Sequence, residues 1–294
     1  GRVEGALRLH LVPAFGARPL ASVRPTEVQA FVRGLSAKME PSSVRTIYTI
    51  LRGVFRAALL DRVITASPCV RITLPTSAPK ALSIPEASTV HALAEALPPR
   101  YRAVVYVAAG LGLRPGECFG LDLADVDFLR RSVTLVRQLD AARNLAPLKT
   151  PSSYRTVPLP QAVADELARH LALFGKGGLI FRAPDGRPVT RNSFERTWRN
   201  AAVSVGAPGL RLHDMRHAYA SALIAAGESV KVVQLRMGHA SAMVALDVYG
   251  HLWPDSDDKT RSAVDAFLGA GADSLRTAET KAQVSGADPR FLLK

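Results

Sequence analysis

Apolar positions recur at three- and four-residue spacing through most of this chain, the pattern of helices that bury one face. Near the N-terminus, Thr26 is placed to cap TEVQAFVRGLSAK, where Val28, Phe31, Val32 and Leu35 share a side. A second helix is predicted from Ser42 or Ser43 to about Leu60, with Ile47, Ile50, Leu51, Val54, Phe55 and Ala58 as its apolar stripe. The stretch LPTSAPKALSIP, 74–85, is rich in Pro and Ser, has no helical period and reads as a linker. Beyond it the spacing predicts helices over 86–97, 101–110, 115–121, 161–174, 192–204, 213–226, 229–237 and 241–250, with Gly227 suited to the position just past the 213–226 helix. SVTLVRQL (132–139) and RTVPL (155–159) read instead as short strands. LKTPSS lies between them, so Lys149 is expected on the edge or hairpin of a small sheet. A second hairpin is expected in LIFRAPDGRPVT, with Asp185 and Gly186 in its turn. After Pro254, KTRSAVDAFLGAG predicts one short helix, and the last twenty or so residues read as loosely ordered. The expected fold class is mostly α with small β-hairpins (α+β), in two domains: a helical one over 1–75, a linker over 76–85, a mixed one over 86–270, and a tail over 271–294.

Composition narrows the partners. A chain of 294 residues is long enough for a sizeable core, and 48% hydrophobic with 21% charged residues is globular rather than disordered. The formal net charge of +13 favours nucleic acid or another anionic surface, against the plainer alternative of a merely soluble basic protein. Residues 1–80 carry a net +8 and the remaining 214 a net +5, so the smaller part is the more basic per residue. On the predicted 42–60 helix, Arg45, Tyr48, Thr49, Arg52 and Arg56 fall within about a third of a turn at 100° per residue. They read as a DNA-facing stripe, with an ordinary solvated basic face as the alternative. Cys69 and Cys118 form no C-x-x-C pair, so neither a disulfide framework nor a zinc site is suggested, and a reducing compartment fits. Apolar runs such as AVVYVAAGLGL are too short to span a bilayer, and no signal segment opens the chain. The first residue is Gly rather than Met, which reads as a piece trimmed from a longer chain. With 6% aromatic residues and no aromatic-rich basic strand, RNA binding by base stacking has little support.

The chemistry sits in five stretches: GLRPGE, PLKTPSSYRTVPLP, LHDMRHAYAS, MGHASAM and LDVYGHLWP. They carry Arg114, Lys149, His213 with Arg216, His239 and Tyr249 in that order. A phosphodiester repels nucleophiles, so a catalyst must neutralise the charge that builds on the pentacoordinate phosphorus. Two arginines from separate elements, Arg114 and Arg216, suit the two non-bridging oxygens, because a guanidinium offers paired donors and keeps its charge. His213 and Arg216 are three apart and share a helix face. Tyr249 is the candidate nucleophile, and nearby positive charge is expected to favour its phenolate. Lys149 on a mobile loop is the candidate general acid for the leaving sugar oxygen. His213 is a candidate proton acceptor or phosphate donor, and His239 a candidate phosphate donor. Each residue alone has a plainer reading as a turn arginine, a solvated lysine, a capping histidine or an anchoring tyrosine. Their order is what separates them from it.

These stretches resemble the tyrosine recombinases, in particular phage-type integrases. GLRPGE resembles that family's first-arginine motif, the K-T…R-x-V-P-L stretch its lysine loop, HDMRHAYAS its His-x-x-Arg box, and MGH with LDVYGH its second histidine and nucleophile box. The spacings of three, 23 and ten residues from His213 to Arg216, His239 and Tyr249 are similar too. The likeness covers most of the chain. HLVPAFGARPL and the two helices after it resemble the family's SAM-like helical core-binding domain, ahead of a tyrosine-recombinase catalytic domain. The resemblance implies Arg114, Lys149, His213, Arg216 and His239 as active-site residues and Tyr249 as nucleophile. It implies Glu117 as the acid that orients the first arginine and a structural role for His217. Cys118 and Met237 stand where leucine is commoner. No arm-binding domain precedes the core-binding segment, which fits either a minimal integrase or a trimmed chain. The implied activity is site-specific DNA breaking and rejoining through a 3′-phosphotyrosine, integrating or excising a phage or mobile element, with no cofactor and no metal. The implied partners are double-stranded DNA held in a basic two-domain clamp and a homotetramer on it, with a directionality factor or DNA-bending protein as candidate accessories, in a bacterial cytoplasm and with no membrane. A type IB topoisomerase, a chromosome-dimer resolvase and an inactive recombinase-fold DNA-binding regulator are the alternatives.

Overall fold

The computed structural model describes residues 1–76, 82–175, 177–253, 257 and 260–269. Residues 77–81 of the expected linker and the expected tail over 271–294 lie outside that set. The chain divides into two compact units, Gly1–Ala81 and Leu82–Lys294, each with its own apolar core.

The first unit opens with a helical run: α1 (Arg2–Ala6), a π-helical turn over Leu7–Leu11, and α2 (Val12–Phe15). Pro13 explains the wide turn, since it has no N–H to give and its ring crowds the carbonyl a turn earlier. Then come α3 (Pro25–Ser36) and α4 (Pro41–Leu60), both started by proline at the first helical position. This corrects the expected cap at Thr26. Pro25 keeps Arg24 extended, and the Glu27 carboxylate accepts the Arg24 N–H at 2.8 Å. Phe15, Val28, Val32, Val44, Ile47, Leu51 and Phe55 form the core. Arg45, Thr49, Arg52 and Arg56 stand exposed on α4, but Tyr48 does not. Tyr48 lies at the edge of the stripe nearest the apolar face; its ring is buried and its hydroxyl donates to the Cys69 carbonyl at 3.2 Å. Arg45 is also engaged, its Nε donating to the Pro75 carbonyl at 3.0 Å.

The second unit begins with α5 (Ala87–Ala96), α6 (Pro99–Leu111) and the short α7 (Pro115–Phe119). Five strands follow: β1 (Val126–Asp127), β2 (Ser132–Leu135), β3 (Arg137–Leu139), β4 (Leu145–Pro147) and β5 (Arg155–Pro158). The rest is helical: α8 (Gln161–Phe174), α9 (Arg191–Ser204), α10 (Asp214–Ala225), α11 (Val230–Met237) and α12 (Ala242–Tyr249). Helix α6 is apolar almost all round, with Ala103, Val104, Val105, Val107, Ala108 and Leu111 buried, and α5, α8 and α10 enclose it. One antiparallel sheet runs β1-β2-β5 and pairs Val133 with Val157; a separate hairpin pairs β3 with β4. The expected single strand over 132–139 therefore breaks at Val136, and its second half pairs with an unexpected strand. Lys149 falls two residues past that hairpin, in the loop toward β5. At Asp185 and Gly186 the turn forms, with Gly186 at φ 80° and the Ala183 N–H donating to the Arg187 carbonyl at 2.9 Å, but its arms make an isolated bridge between Arg182 and Pro188 rather than full strands. Gly227 takes the left-handed position past α10 (φ 85°). Residues 260–269 are helical. Among the described residues no helix is long and apolar enough to cross a membrane.

Candidate active site

Two glycines set the geometry. Helices α6 and α11 each end in a left-handed glycine, Gly112 (φ 62°) and Gly238 (φ 61°). A Cβ at Gly112 would lie 2.3 Å from the Tyr219 ring, and one at Gly238 2.9 Å from Arg155 Nη1 and 3.0 Å from the Ser152 carbonyl. Such helix ends leave carbonyls without partners and carry partial negative charge. The two motif arginines take them up reciprocally. Arg216, only 2% exposed, donates Nη1 to the Gly112 carbonyl and Nη2 to that of Met237. Arg114 donates Nη2 to the Gly238 carbonyl at 3.0 Å and Nη1 to Ser153 Oγ at 3.3 Å. The residues just before Arg114 and those just before His239 are thus tied together by the arginines themselves.

Beneath them lies a buried brace. Glu117, in the first turn of α7, accepts from Arg114 Nη1 at 2.7 Å and from the Arg114 backbone N–H at 2.9 Å. Its other partner is Arg155 on β5, at 2.9 Å and 3.3 Å. Burial pushes the Glu117 carboxyl upward, but the hydrogen bonds and charge of Arg155, joined by Arg114, outweigh it and hold the pKa below the usual range. Arg155 also donates Nε to the Arg236 carbonyl at 2.8 Å. Sequence reasoning did not single out Arg155. The available signal was its spacing two residues from Val157, which puts an arginine on the strand's buried side.

The histidines and the tyrosine close the site. Tyr249, the last residue of α12, is 1% exposed, and its hydroxyl lies 2.7 Å from His217 Nδ1. The His239 ring lies parallel to the Tyr249 ring, with centroids 6.5 Å apart, and His213 meets His217 edge-on at 5.3 Å. Burial pushes the Tyr249 phenol up to about 12, and the Arg216 charge only partly opposes it. This corrects the expected phenolate: in the folded chain desolvation wins over nearby charge. Burial also brings His213 and His239 down to about 4, with the neighbouring arginines adding to the effect, so both are neutral at pH 7. Arg216 is lowered to about 9 by burial, then by Arg114 and Arg155, and it stays charged. Lys149 is exposed and stands apart from this cluster, although its neighbour Thr150 shares a 2.9 Å hydrogen bond with Ser153, which Arg114 touches. Arg114, Glu117, His213, Arg216, His217, His239 and Tyr249 are brought together within the second unit; Lys149 is not in contact with them. Cys118 and Met237 are fully buried core residues.

His213 and His239, lowered furthest of the four histidines that burial depresses, set a pH dependence. Their folded pKa values lie below the ordinary 6.5, so the unfolded chain binds protons first as pH falls. Their contribution to stability is complete above about 6.5 and is lost between there and about 4. Thermal unfolding between pH 7 and 4.5 should show a falling Tm, with a shallower fall in the double variant His213→Gln, His239→Gln. An unchanged slope would assign the acid sensitivity to other groups.

The chain is similar to known proteins over most of its length. The integrase of Mycobacterium phage D29 is 28% identical over 81% of this chain and 66% of its own length. The tyrosine recombinase XerD of Pseudomonas aeruginosa is 30% identical over 69% of this chain and 68% of its own. The Tn1549 transposon integrase, solved in complex with a circular intermediate DNA, has the same fold at a TM-score of 0.75 and 19% identity, over 90% of this chain and 92% of that one. A lambda integrase dimer bound to a core site matches at 0.68 and 16% identity, over 87% and 88%. The chain spans about two thirds of the length of the phage and prophage integrases it matches. The pattern of the phage integrase family runs from residue 83 to residue 254, past every one of the clustered side chains, and with more than half its length so matched the chain belongs to that family.

Proposed function

We propose that the chain is a site-specific DNA recombinase of integrase type, which breaks and rejoins duplex DNA through a 3′-phosphotyrosine at Tyr249 to integrate or excise a phage or mobile element. The convergence of Arg114, Arg216, His239 and Tyr249 from four separate elements around two helix ends carries this reading. Arg114 and Arg216 neutralise the phosphate oxygens as the phosphorus becomes pentacoordinate. His239 Nδ1 is buried without a hydrogen-bond partner, a group that a phosphate oxygen would satisfy if that nitrogen carries the proton. His213, neutral at working pH, donates to the phosphate in the same way. Lys149, exposed on its loop, protonates the leaving 5′ oxygen once DNA draws the loop in. Tyr249 is 1% exposed, so attack on a phosphate requires its cover to shift. The energy of the broken bond is kept in the tyrosyl ester until a 5′-hydroxyl from the partner duplex attacks it.

Double-stranded DNA is the proposed partner, with a homotetramer assembling on it to bring two duplexes together. Phosphate contacts dominate such binding and make it steeply salt-dependent. Arg52 and Arg56, both exposed on α4, are proposed among the contacts in the first unit. The double variant Arg52→Ala, Arg56→Ala should weaken binding and reduce the slope of log K against log salt by about 2; an unchanged slope would leave α4 a merely solvated face.

The test is covalent trapping. The full chain is incubated with nicked duplexes tiled across the DNA flanking its gene and run on a denaturing gel. An adduct mapping to Tyr249 is expected. Tight, salt-sensitive binding with no adduct on any duplex would instead favour an inactive DNA-binding regulator.

A further inference from the structure

The hydroxyl of Tyr249 has a hydrogen-bond partner that the six-residue constellation leaves out. His217 Nδ1 lies 2.7 Å from it, within the range of a short hydrogen bond, and the rings pack edge-on at 5.7 Å. On the far side of the imidazole, Nε2 faces Asp214 Oδ1 at 4.0 Å. That distance is too long for a hydrogen bond but close enough for charge, and contacts of this kind are often loose before substrate binds. Asp214 is itself fixed and buried, accepting from the Arg211 backbone N–H at 2.8 Å, from Nη2 at 2.7 Å and from Nε at 3.2 Å. Hydroxyl, imidazole and carboxylate therefore stand in the order nucleophile, base and orienting acid.

We infer that His217 takes the proton from Tyr249 as its oxygen attacks phosphorus, with Asp214 as a positioning residue; this rests on the strand-cleavage reading above. The Tyr249 O–H proton passes to His217 Nδ1 while the phenolic oxygen bonds to phosphorus. The bond from phosphorus to the 5′ oxygen breaks, and that oxygen takes a proton from Lys149. The products are the 3′-phosphotyrosine and a free 5′-hydroxyl, with His217 now an imidazolium facing Asp214 and Lys149 neutral. On religation the 5′-hydroxyl attacks the ester, its proton returns to Lys149, and His217 returns its own to the departing Tyr249. The competing histidines are less well placed. His213 touches the His217 ring rather than the hydroxyl, and His239 lies parallel to the phenol without a hydrogen bond to it. A base is needed, because burial opposes ionisation of this tyrosine. The charged and titratable groups around His217 are Asp214, Arg211, Arg216, His213 and Tyr249. Of these, only Asp214 favours its protonated form.

The test uses the full chain and whichever nicked duplex the wild type cleaves. His217→Asn keeps a side chain able to hydrogen-bond the hydroxyl but unable to take its proton. It should slow adduct formation by roughly 10²- to 10⁴-fold while DNA affinity stays unchanged. Replacing Tyr249 in that variant with a fluorinated tyrosine that ionises near neutral pH should restore most of the lost rate, because no base is then required. Asp214→Asn should move the acid limb of the pH–rate profile to lower pH, since the imidazolium loses its counter-charge, an effect that lost packing alone would not produce. A wild-type rate for His217→Asn, or a deficit the fluorinated tyrosine does not repair, overturns the assignment while Tyr249 remains the nucleophile. If the wild type forms no adduct on any duplex, the strand-cleavage reading falls and the inference falls with it.

Discussion

Tyr249→Phe should abolish the covalent DNA adduct, a loss on the order of 10⁴-fold or more, and leave DNA affinity essentially intact. The substitution removes one oxygen from a side chain that is 1% exposed and contributes no charge to a phosphate contact. The Ser153 hydroxyl beside Arg114 is engaged with Thr150 at 2.9 Å, and the other groups around the site are guanidiniums, imidazoles and the paired carboxylates of Glu117 and Asp214. The fold should barely notice. One hydrogen bond to His217 disappears, worth about 1 kcal/mol, and Tm should fall by only a few degrees. Single-turnover trapping alongside a salt titration of binding checks both halves. Cleavage by the Phe variant would remove Tyr249 from the chemistry, whereas a large loss of affinity would mean that the hydroxyl helps to hold DNA.

Much of this architecture was legible because helices with a buried side announce themselves by period. The eight predicted helices of the second unit all formed, with boundaries shifted by no more than two residues, and the Gly227 stop fell where the pattern put it. What was missed depends on tertiary surroundings. The π turn before Pro13 is a local response to one missing N–H, invisible to a 100° period. The hairpin of β3 and β4 is built from RQL and LAP, too short to show alternation, and it forms because Gly120 lets β3 pass close by: a Cβ there would lie 2.7 Å from the Leu139 nitrogen. Tyr48 was misplaced because a wheel assigns an angle, not a fate, and an amphipathic ring at the edge of a stripe can turn inward.

At the site, sequence order gathered the arginines, histidines and tyrosine, yet it gave the wrong sign for the tyrosine's ionisation. Counting neighbouring charges captures one of the influences on a pKa. Desolvation depends on what covers the ring, and only coordinates supply that. Arg155 escaped for a related reason: an arginine between PSSY and TVPLP looks solvated until Glu117 is seen buried beside it.

The other large effect belongs to Arg216, and comparison with Arg114 separates chemistry from folding. Removing either guanidinium should slow adduct formation by roughly 10²- to 10³-fold, since in the proposed mechanism each neutralises charge on the phosphate. Their structural consequences differ. Arg216 is buried and holds two helix-end carbonyls, those of Gly112 and Met237, from separate parts of the unit. Arg216→Ala leaves both unpaired and opens a cavity, so it should lose about 1–3 kcal/mol for each buried carbonyl and unfold at markedly lower temperature. The Arg114 side chain is about a third exposed, and Glu117 keeps Arg155 as a partner when Arg114 is gone. Arg114→Ala should therefore lose activity with little change in Tm. Arg216→Lys should rescue neither stability nor rate, because one ammonium on a flexible stem cannot span two carbonyls that a planar fork reaches together. Thermal unfolding and single-turnover cleavage measured on the three variants make the comparison. Equal Tm losses for the two alanine variants would show that the helix ends are held by packing rather than by the Arg216 fork.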